Sequence, residues 1–294
     1  DIVETNSFGS TKIVLAEYNL EDHAYELNKA AAEIARQTAE ELSTPGRPRF
    51  VAGSMGPTTK AITVTGGVTF PELIASYHEQ AKGLVDGGAD ILLLETCQDT
   101  RKIKAGLLAI QRLGVEYGFP IPTMVSGTIE ATGTMLAGQT ADAFYTSLSH
   151  APLLSIGLNC ATGPEFMNDH IRSIHELSTT RISCYPNAGL PDEEGQYAET
   201  PTTLASQLER FINHGWLNIV GGCCGTRPDH IRAIAQMIQG KTPRAAKQSS
   251  HRTYFSGIEV VEAEDSTRPL IVGERTNVIG SRLFKNMIAA EKWE

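Results

Sequence analysis

Residues 217–239 read LNIV, GGCCG, TRP and then DHIRAIAQMIQ, and this stretch indicates the fold most clearly. The apolar run LNIV is typical of a short buried strand, and the pattern from Asp229 to Gln239 is that of a helix that buries one face. The glycines between them mark a tight loop at the carboxyl end of the strand. The stretch is therefore one strand–loop–helix unit.

The same unit recurs along the chain of 294 residues. The predicted strands are residues 1–5, 50–53, 90–95, 123–127, 154–159, 182–185 and 217–220. The other predicted helices are residues 24–42, 70–87, 100–113, 140–150, 164–178 and 202–215. Such alternation predicts an α/β fold with parallel strands, either a doubly wound sheet or a (β/α)8 barrel. A TIM-type barrel is favoured, because no Gly-x-Gly-x-x-Gly follows the first strand and polar residues recur at several strand ends.

Three cysteines stand out at the ends of two predicted strands. Cys223 and Cys224 lie between glycines, which leave sulfur atoms uncovered, and two adjacent cysteines close a disulfide only with strain. Cys160 ends the strand SIGLNC. Taken alone it would be read as a small buried hydrophobe, but the ends of parallel barrel strands share one face, where three sulfurs can converge. Three thiolates would leave one zinc position open, as in catalytic sites.

Three motifs carry a family resemblance: GLNCATGP (157–164), YPNAGLPDEEGQY (185–197) and NIVGGCCGTRPDHI (218–231). They closely resemble the homocysteine-binding domain of the cobalamin-dependent methionine synthases, within the zinc-dependent homocysteine S-methyltransferases. The resemblance covers essentially the whole chain and implies zinc on Cys160, Cys223 and Cys224. It further implies a methyltransferase that activates the thiol of homocysteine on zinc. The methyl group would come from methylcobalamin on another domain, and the product would be methionine.

Two polar residues at strand ends are candidates for substrate binding. Glu95 closes the apolar run ILLL, where a carboxylate is costly unless it faces the barrel mouth or has a partner. A salt bridge to a neighbouring base would explain it, whereas the resemblance implies that Glu95 holds the amino group of homocysteine. The Asn159 amide could position either the substrate or its own loop. Cys97 and Cys184 are interpreted as packing thiols, and no catalytic group beyond the zinc site is expected.

The resemblance also predicts the domain organisation. Residues 1–240 would form the homocysteine-binding zinc barrel, with residues 1–5 as the second strand of the family's barrel and the first strand and helix missing. Residues 241–268 begin with KTPRAAKQSSH and read as a linker. Residues 269–294 contain PLIVGERTN and resemble the start of the methyltetrahydrofolate-binding (pterin) domain. Too little of that domain is present for Glu274 and Asn277 to form a pterin site, so the chain would carry out at most one half-reaction.

Composition narrows the function classes. A net charge of −9 argues against a nucleic-acid partner, and no apolar run reaches the length of about 18 residues that a membrane span needs. Five cysteines without a disulfide pattern favour the cytoplasm. Two rival functions stay open. One is a free-standing methyltransferase that uses betaine or S-methylmethionine, against which the GERTN tail argues. The other is a structural zinc module in which a fourth protein ligand closes the site.

Overall fold

The structure, a computed structural model, describes residues 1–62, 67–248, 252–273 and 277–292. Seven parallel strands form one sheet in which the order along the chain is the order in space. They are β1 Ile2–Glu4, β2 Phe50–Met55, β3 Ile91–Cys97, β4 Thr123–Gly127, β5 Ser155–Asn159, β6 Arg181–Tyr185 and β7 Ile219–Val220. The sheet curls into a half barrel of the TIM type, which confirms the predicted fold class.

Helices lie between successive strands along the chain, and the last of this series follows β7. They are α1 Lys12–Leu15, α2 Ala24–Glu41, α3 Phe70–Asp86, α4 Thr100–Tyr117, α5 Ala141–Leu148, α6 Pro164–Leu177, α7 Pro201–Asn213 and α8 Pro228–Met237. Local chemistry fixes their ends. Thr69 and Glu72 form a capping box at the start of α3. Helix α4 continues to Tyr117, beyond the predicted residue 113, and ends at Gly118, which has a left-handed φ of 76°.

The main core lies between the sheet and its helices. It contains strand residues such as Leu92, Leu94 and Ile156, which are almost completely buried. Each side chain of this kind contributes roughly 1.5–3 kcal/mol through burial. A smaller cluster inside the curled sheet includes Leu93 and Tyr185. The two faces of each strand are thus covered differently, and the inner face is where polar residues can reach the mouth.

The sheet does not close on itself in the described residues. Each strand pairs with its neighbour in the series, and no pairing joins β1 to β7. Strand β1 is exposed along its length, with Ile2 and Val3 each 36% exposed. A half barrel with one open side agrees with the seven strands that the sequence predicts.

The predicted linker, residues 241–268, is partly folded against the barrel. The Arg244 side chain is only 5% exposed. Two short strands, β8 Tyr254–Ser256 and β9 Val260–Glu262, form an antiparallel hairpin. This hairpin packs on α5, where Ser256 Oγ donates to the Ala143 carbonyl at 2.8 Å. The polar composition of this segment indicated a linker, but it gave no sign of these contacts.

The end of the described chain carries one more helix, α9 Arg282–Ala289. Glu274, which the resemblance singled out, lies outside the described residues. The assignment of residues 269–294 to a second domain stays a prediction. No helix in the described part of the chain is long and apolar enough to cross a membrane.

Candidate metal centre

The three cysteines of the predicted site meet at the mouth of the half barrel. Cys160 directly follows β5, and Cys223 and Cys224 follow β7. Their Sγ atoms all lie within 4.8 Å of one another, and the Cys160 and Cys224 sulfurs are 3.7 Å apart. Cys224 is exposed, whereas the other two are half-buried. The group can therefore be reached from solvent on one side.

The separation of the Cys160 and Cys224 sulfurs suits two ligands of a tetrahedral zinc ion, and the third sulfur lies within 4.8 Å of both. With Zn–S bonds of about 2.3 Å, two sulfurs of a tetrahedron lie about 3.8 Å apart. The separation of 3.7 Å between Cys160 and Cys224 is close to that value. No fourth His, Cys, Asp or Glu belongs to this group among the residues that the structure describes. Three soft thiol donors with one free position fit the ligand set of a catalytic zinc site.

Two glycines allow the cysteine loop to adopt its conformation. A Cβ atom on Gly222 would lie 2.3 Å from Thr226 Cγ2, and one on Gly225, where φ is 77°, would lie 2.3 Å from Tyr197 Cγ. Neither position can accept a side chain without displacing its neighbour. Backbone bonds then tie the loop to the segment after β6, since Cys223 N donates to the Pro186 carbonyl at 2.8 Å.

Backbone strain is concentrated around the sulfurs. Cys160, Ala161 and Thr96 have left-handed φ values of 57°, 54° and 53°. Each such residue costs roughly 1–2 kcal/mol, and a β-branched residue like Thr96 is especially unusual there. Strain of this kind clusters at functional sites, where the surrounding structure enforces it. The sequence did not predict the left-handed conformation of Thr96, because a threonine at the end of a strand does not indicate such a conformation.

Two buried amides hold the loops that carry the sulfurs. Asn159 Oδ1 accepts from Thr96 N at 3.0 Å, while its Nδ2 donates to Thr96 Oγ1 at 2.8 Å and to Cys223 Sγ at 3.7 Å. Asn187 Oδ1 accepts from Cys224 N at 3.1 Å. Both ends of the Asn159 amide are therefore engaged by the protein. Of the two roles open from the sequence, these contacts favour positioning of the loops.

The three thiols share one negative charge. Donation from the Cys223 thiol is the largest of several effects that lower the pKa of Cys160 to about 6. The pKa of Cys223 is raised, first because it gives this hydrogen bond and then by burial. Burial, followed by the charge on Cys160, raises the pKa of Cys224. At neutral pH the group is thus a thiolate stabilised by two thiols, which is a ready acceptor for a cation.

Cys97 and Cys184 lie apart from this group. Both are buried, and burial raises the pKa of each thiol. A buried thiol of this kind is inert and behaves as a small hydrophobe.

Glu95 lies on the inner face of β3 and is 5% exposed. Ser54 Oγ donates to Glu95 Oε1, and no base forms a salt bridge with Glu95 among the described residues. Burial raises the pKa of the carboxyl, and the Ser54 hydrogen bond opposes that effect. Glu4 faces it from β1, and burial and the Glu95 charge raise the pKa of Glu4 to about 8.

Most of the chain matches a known protein family. The family model described as homocysteine S-methyltransferase matches residues 1–238. The chain belongs to the homocysteine S-methyltransferase family. Family membership confirms the predicted methyltransferase class. The matched residues include the seven strands and the three cysteines of the candidate centre.

Solved structures of one homocysteine S-methyltransferase share the fold. The metallated form of the homocysteine methyltransferase MmuM from Escherichia coli is 22% identical to this chain, with a TM-score of 0.65 over 80% of this chain and 78% of MmuM. The oxidized form has the same identity and coverage, with a TM-score of 0.66. The apo form is 22% identical with a TM-score of 0.60, over 80% of this chain and 79% of MmuM. At this identity the likeness supports the fold alone.

Proposed function

We propose that this chain binds homocysteine and activates its thiol on a zinc ion held by Cys160, Cys223 and Cys224. The methyl group would come from methylcobalamin carried by another domain, and the product would be methionine. One observation carries the proposal: three thiols from two distant segments converge at the barrel mouth, all within 4.8 Å of one another and one pair 3.7 Å apart, without a fourth protein ligand among the described residues. A closed structural site would need that fourth ligand.

Zinc, when bound, supplies a Lewis acid that lowers the pKa of a coordinated thiol. The remaining work falls to the protein. A free thiol with a pKa of about 8.5 is only a few per cent thiolate at neutral pH, so activation can increase the reactive form about tenfold. The amides of Asn159 and Asn187 keep the cysteine loops in place before substrate arrives. Exposure of Cys224 leaves one side open for the incoming sulfur.

Glu95 is proposed to bind the amino group of homocysteine. Its carboxylate is buried beside the mouth, receives a hydrogen bond from Ser54 and lies near the Tyr185 hydroxyl, and has no salt-bridge partner among the described residues. A buried carboxylate without a counter-ion is costly, and an ammonium group from the substrate would neutralise it.

The domain assignment and partners belong to the same proposal. Residues 1–240 would be the zinc barrel, residues 241–268 would connect it to a folate-binding domain that starts at residue 269, and a cobalamin domain would supply the methyl group. The motif PLIVGERTN after residue 268 supports this arrangement over a free-standing enzyme.

A methyl-donor assay tests the proposal. The zinc-loaded chain is incubated with homocysteine and one methyl donor at a time: methylcobalamin, betaine or S-methylmethionine. Methionine is measured by mass spectrometry. We expect methionine only with methylcobalamin, and none from a Cys224→Ala variant. Methionine formed from betaine or S-methylmethionine, with none from methylcobalamin, would contradict the proposed donor and favour the free-standing enzyme.

A further inference from the structure

Two hydroxyl groups bond to the backbone of Ser54, the residue whose side chain donates to Glu95. Ser54 N donates to Thr5 Oγ1 at 2.9 Å, and Ser7 Oγ donates to the Ser54 carbonyl at 2.7 Å. The Thr5 and Ser7 hydroxyls are 2.6 Å apart. All three residues are buried, with Ser54 only 2% exposed. Strand β2 and the loop after β1 are therefore joined by a small polar network next to the substrate site.

The position of each proton in this network follows from counting donors. A hydroxyl has one proton to donate. Since Ser7 gives its proton to the Ser54 carbonyl, Thr5 must donate to Ser7 across their contact. The bonds then form a closed ring that runs from Ser54 N through Thr5 and Ser7 back to the Ser54 carbonyl. The ring uses neither the Ser54 hydroxyl proton nor its oxygen, so that proton is free for Glu95 Oε1.

The ring is anchored to the helical layer. Gln80 Nε2, from α3, donates to the Ser7 carbonyl at 2.9 Å and to Asn28 Oδ1, from α2, at 3.3 Å. Asn28 in turn donates to the Ser10 carbonyl at 2.7 Å. Gln80 and Asn28 are completely buried. Hydrogen bonds in a chain of this kind strengthen one another, so the Ser54 peptide has little freedom to move.

We propose that the Thr5–Ser7–Ser54 ring is a positioning device that holds Glu95 as a hydrogen-bond acceptor, and that it thereby selects thiols that carry an α-ammonium group. Ser54 fixes one carboxylate oxygen, Oε1, and the Tyr185 hydroxyl lies close enough to be a second donor to the carboxylate, which leaves its remaining acceptor positions for the ligand's ammonium. A thiol without the amino group gains nothing from this arrangement. The inference rests on the proposed function, because it takes Glu95 as the partner of the amino group.

Two thiols that differ only in the amino group test the selectivity. Binding of homocysteine and of 4-mercaptobutyrate to the zinc-loaded full chain is measured by calorimetry, together with zinc content. We expect Ser54→Ala to weaken homocysteine binding about tenfold, as for loss of one hydrogen bond to a charged group. Binding of 4-mercaptobutyrate and the zinc content should not change. Ser155→Ala is the matched control, because Ser155 is a buried strand serine whose hydroxyl has no partner in the described part of the chain.

A second pair of variants tests the ring without touching Ser54. Thr5→Val keeps the shape of the side chain and removes the hydroxyl, whereas Thr5→Ser keeps the hydroxyl. We expect Thr5→Val to weaken homocysteine binding selectively and Thr5→Ser to retain it.

The outcomes separate this inference from the proposed function. If the unchanged protein does not bind homocysteine, the proposed function fails and the selectivity device fails with it. If the unchanged protein binds homocysteine, but Ser54→Ala and Thr5→Val weaken both thiols equally or neither, the positioning role alone is overturned.

Discussion

The Sγ atoms of Cys160 and Cys224 lie 3.7 Å apart although 64 positions separate the residues in the chain. Parallel strands produce this meeting, because β5 and β7 both end at the same face on either side of β6. This separation is close to the roughly 3.8 Å between two sulfurs bound to one zinc ion, and neither thiol is in a disulfide.

Zinc retention should depend on each of the three cysteines. We expect Cys160→Ala, Cys223→Ala and Cys224→Ala each to lose most of the bound zinc, since two remaining thiolates hold the ion far more weakly. Elemental analysis of the purified variants measures this. Cys184→Ala removes a buried thiol that is not part of the group and should keep its zinc. Retention of zinc by all three single variants would show that the sulfurs are not its ligands.

The metal-free protein should contain one unusually acidic thiol. Because the pKa of Cys160 is lowered to about 6, this residue is a thiolate at pH 7 and should react rapidly with iodoacetamide. The rate should fall as the pH is lowered through about 6, where the thiolate gains a proton. Labelling sites are read by peptide mass spectrometry. Cys97 and Cys184 provide the internal control, since burial raises the pKa of each and both should stay unlabelled. A Cys160 rate that already falls as the pH drops below about 9, as for an ordinary thiol, would show that the pKa of Cys160 is not lowered by its neighbours.

Asn159 should act on the metal site more than on the substrate. Replacing it with leucine, which is similar in size, leaves the Thr96 N–H without an acceptor and Cys223 without a donor. We expect a loss of about 1–3 kcal/mol in the free energy of unfolding, from the buried unsatisfied group, and weaker zinc binding. Urea titration and competition with a zinc chelator measure the two effects. Normal zinc affinity with impaired homocysteine binding would instead assign Asn159 to the substrate.

Arg244 should stabilise the barrel from within the predicted linker. Its guanidinium donates to the carbonyls of Thr180, His175 and Ser178 and to His175 Nδ1. Arg244→Met leaves these carbonyls unsatisfied, and we expect a loss of about 2–4 kcal/mol in the free energy of unfolding, measured in urea. Arg232→Met, which removes an exposed side chain paired with Asp229, should change it by less than about 1 kcal/mol. Equal effects would show that the Arg244 contacts contribute nothing.

The sequence predicted the elements and the convergence of the sulfurs for a clear physical reason. Apolar runs such as ILLL at residues 91–94 can be satisfied only by a strand covered on both faces, and parallel strands bring their carboxyl ends together. The glycines around Cys223 and Cys224 signalled a close backbone approach, which the Thr226 and Tyr197 contacts explain.

Other features depend on tertiary contacts that a single sequence does not encode locally. Ser54 and Thr5 look like ordinary strand-end residues until the register of β1 against β2 is known. The direction of the Asn159 amide follows from the left-handed turn at Thr96, which has no sequence signature. Arg244 lies in a polar segment of small residues, where nothing distinguishes a buried arginine from a solvated one.

X-ray absorption at the zinc edge, with and without homocysteine, tests the central claim most directly. The account predicts three sulfur ligands and one lighter ligand in the zinc-loaded chain, and four sulfur ligands after homocysteine is added. A ligand set that already holds four protein donors and does not change with homocysteine would contradict it.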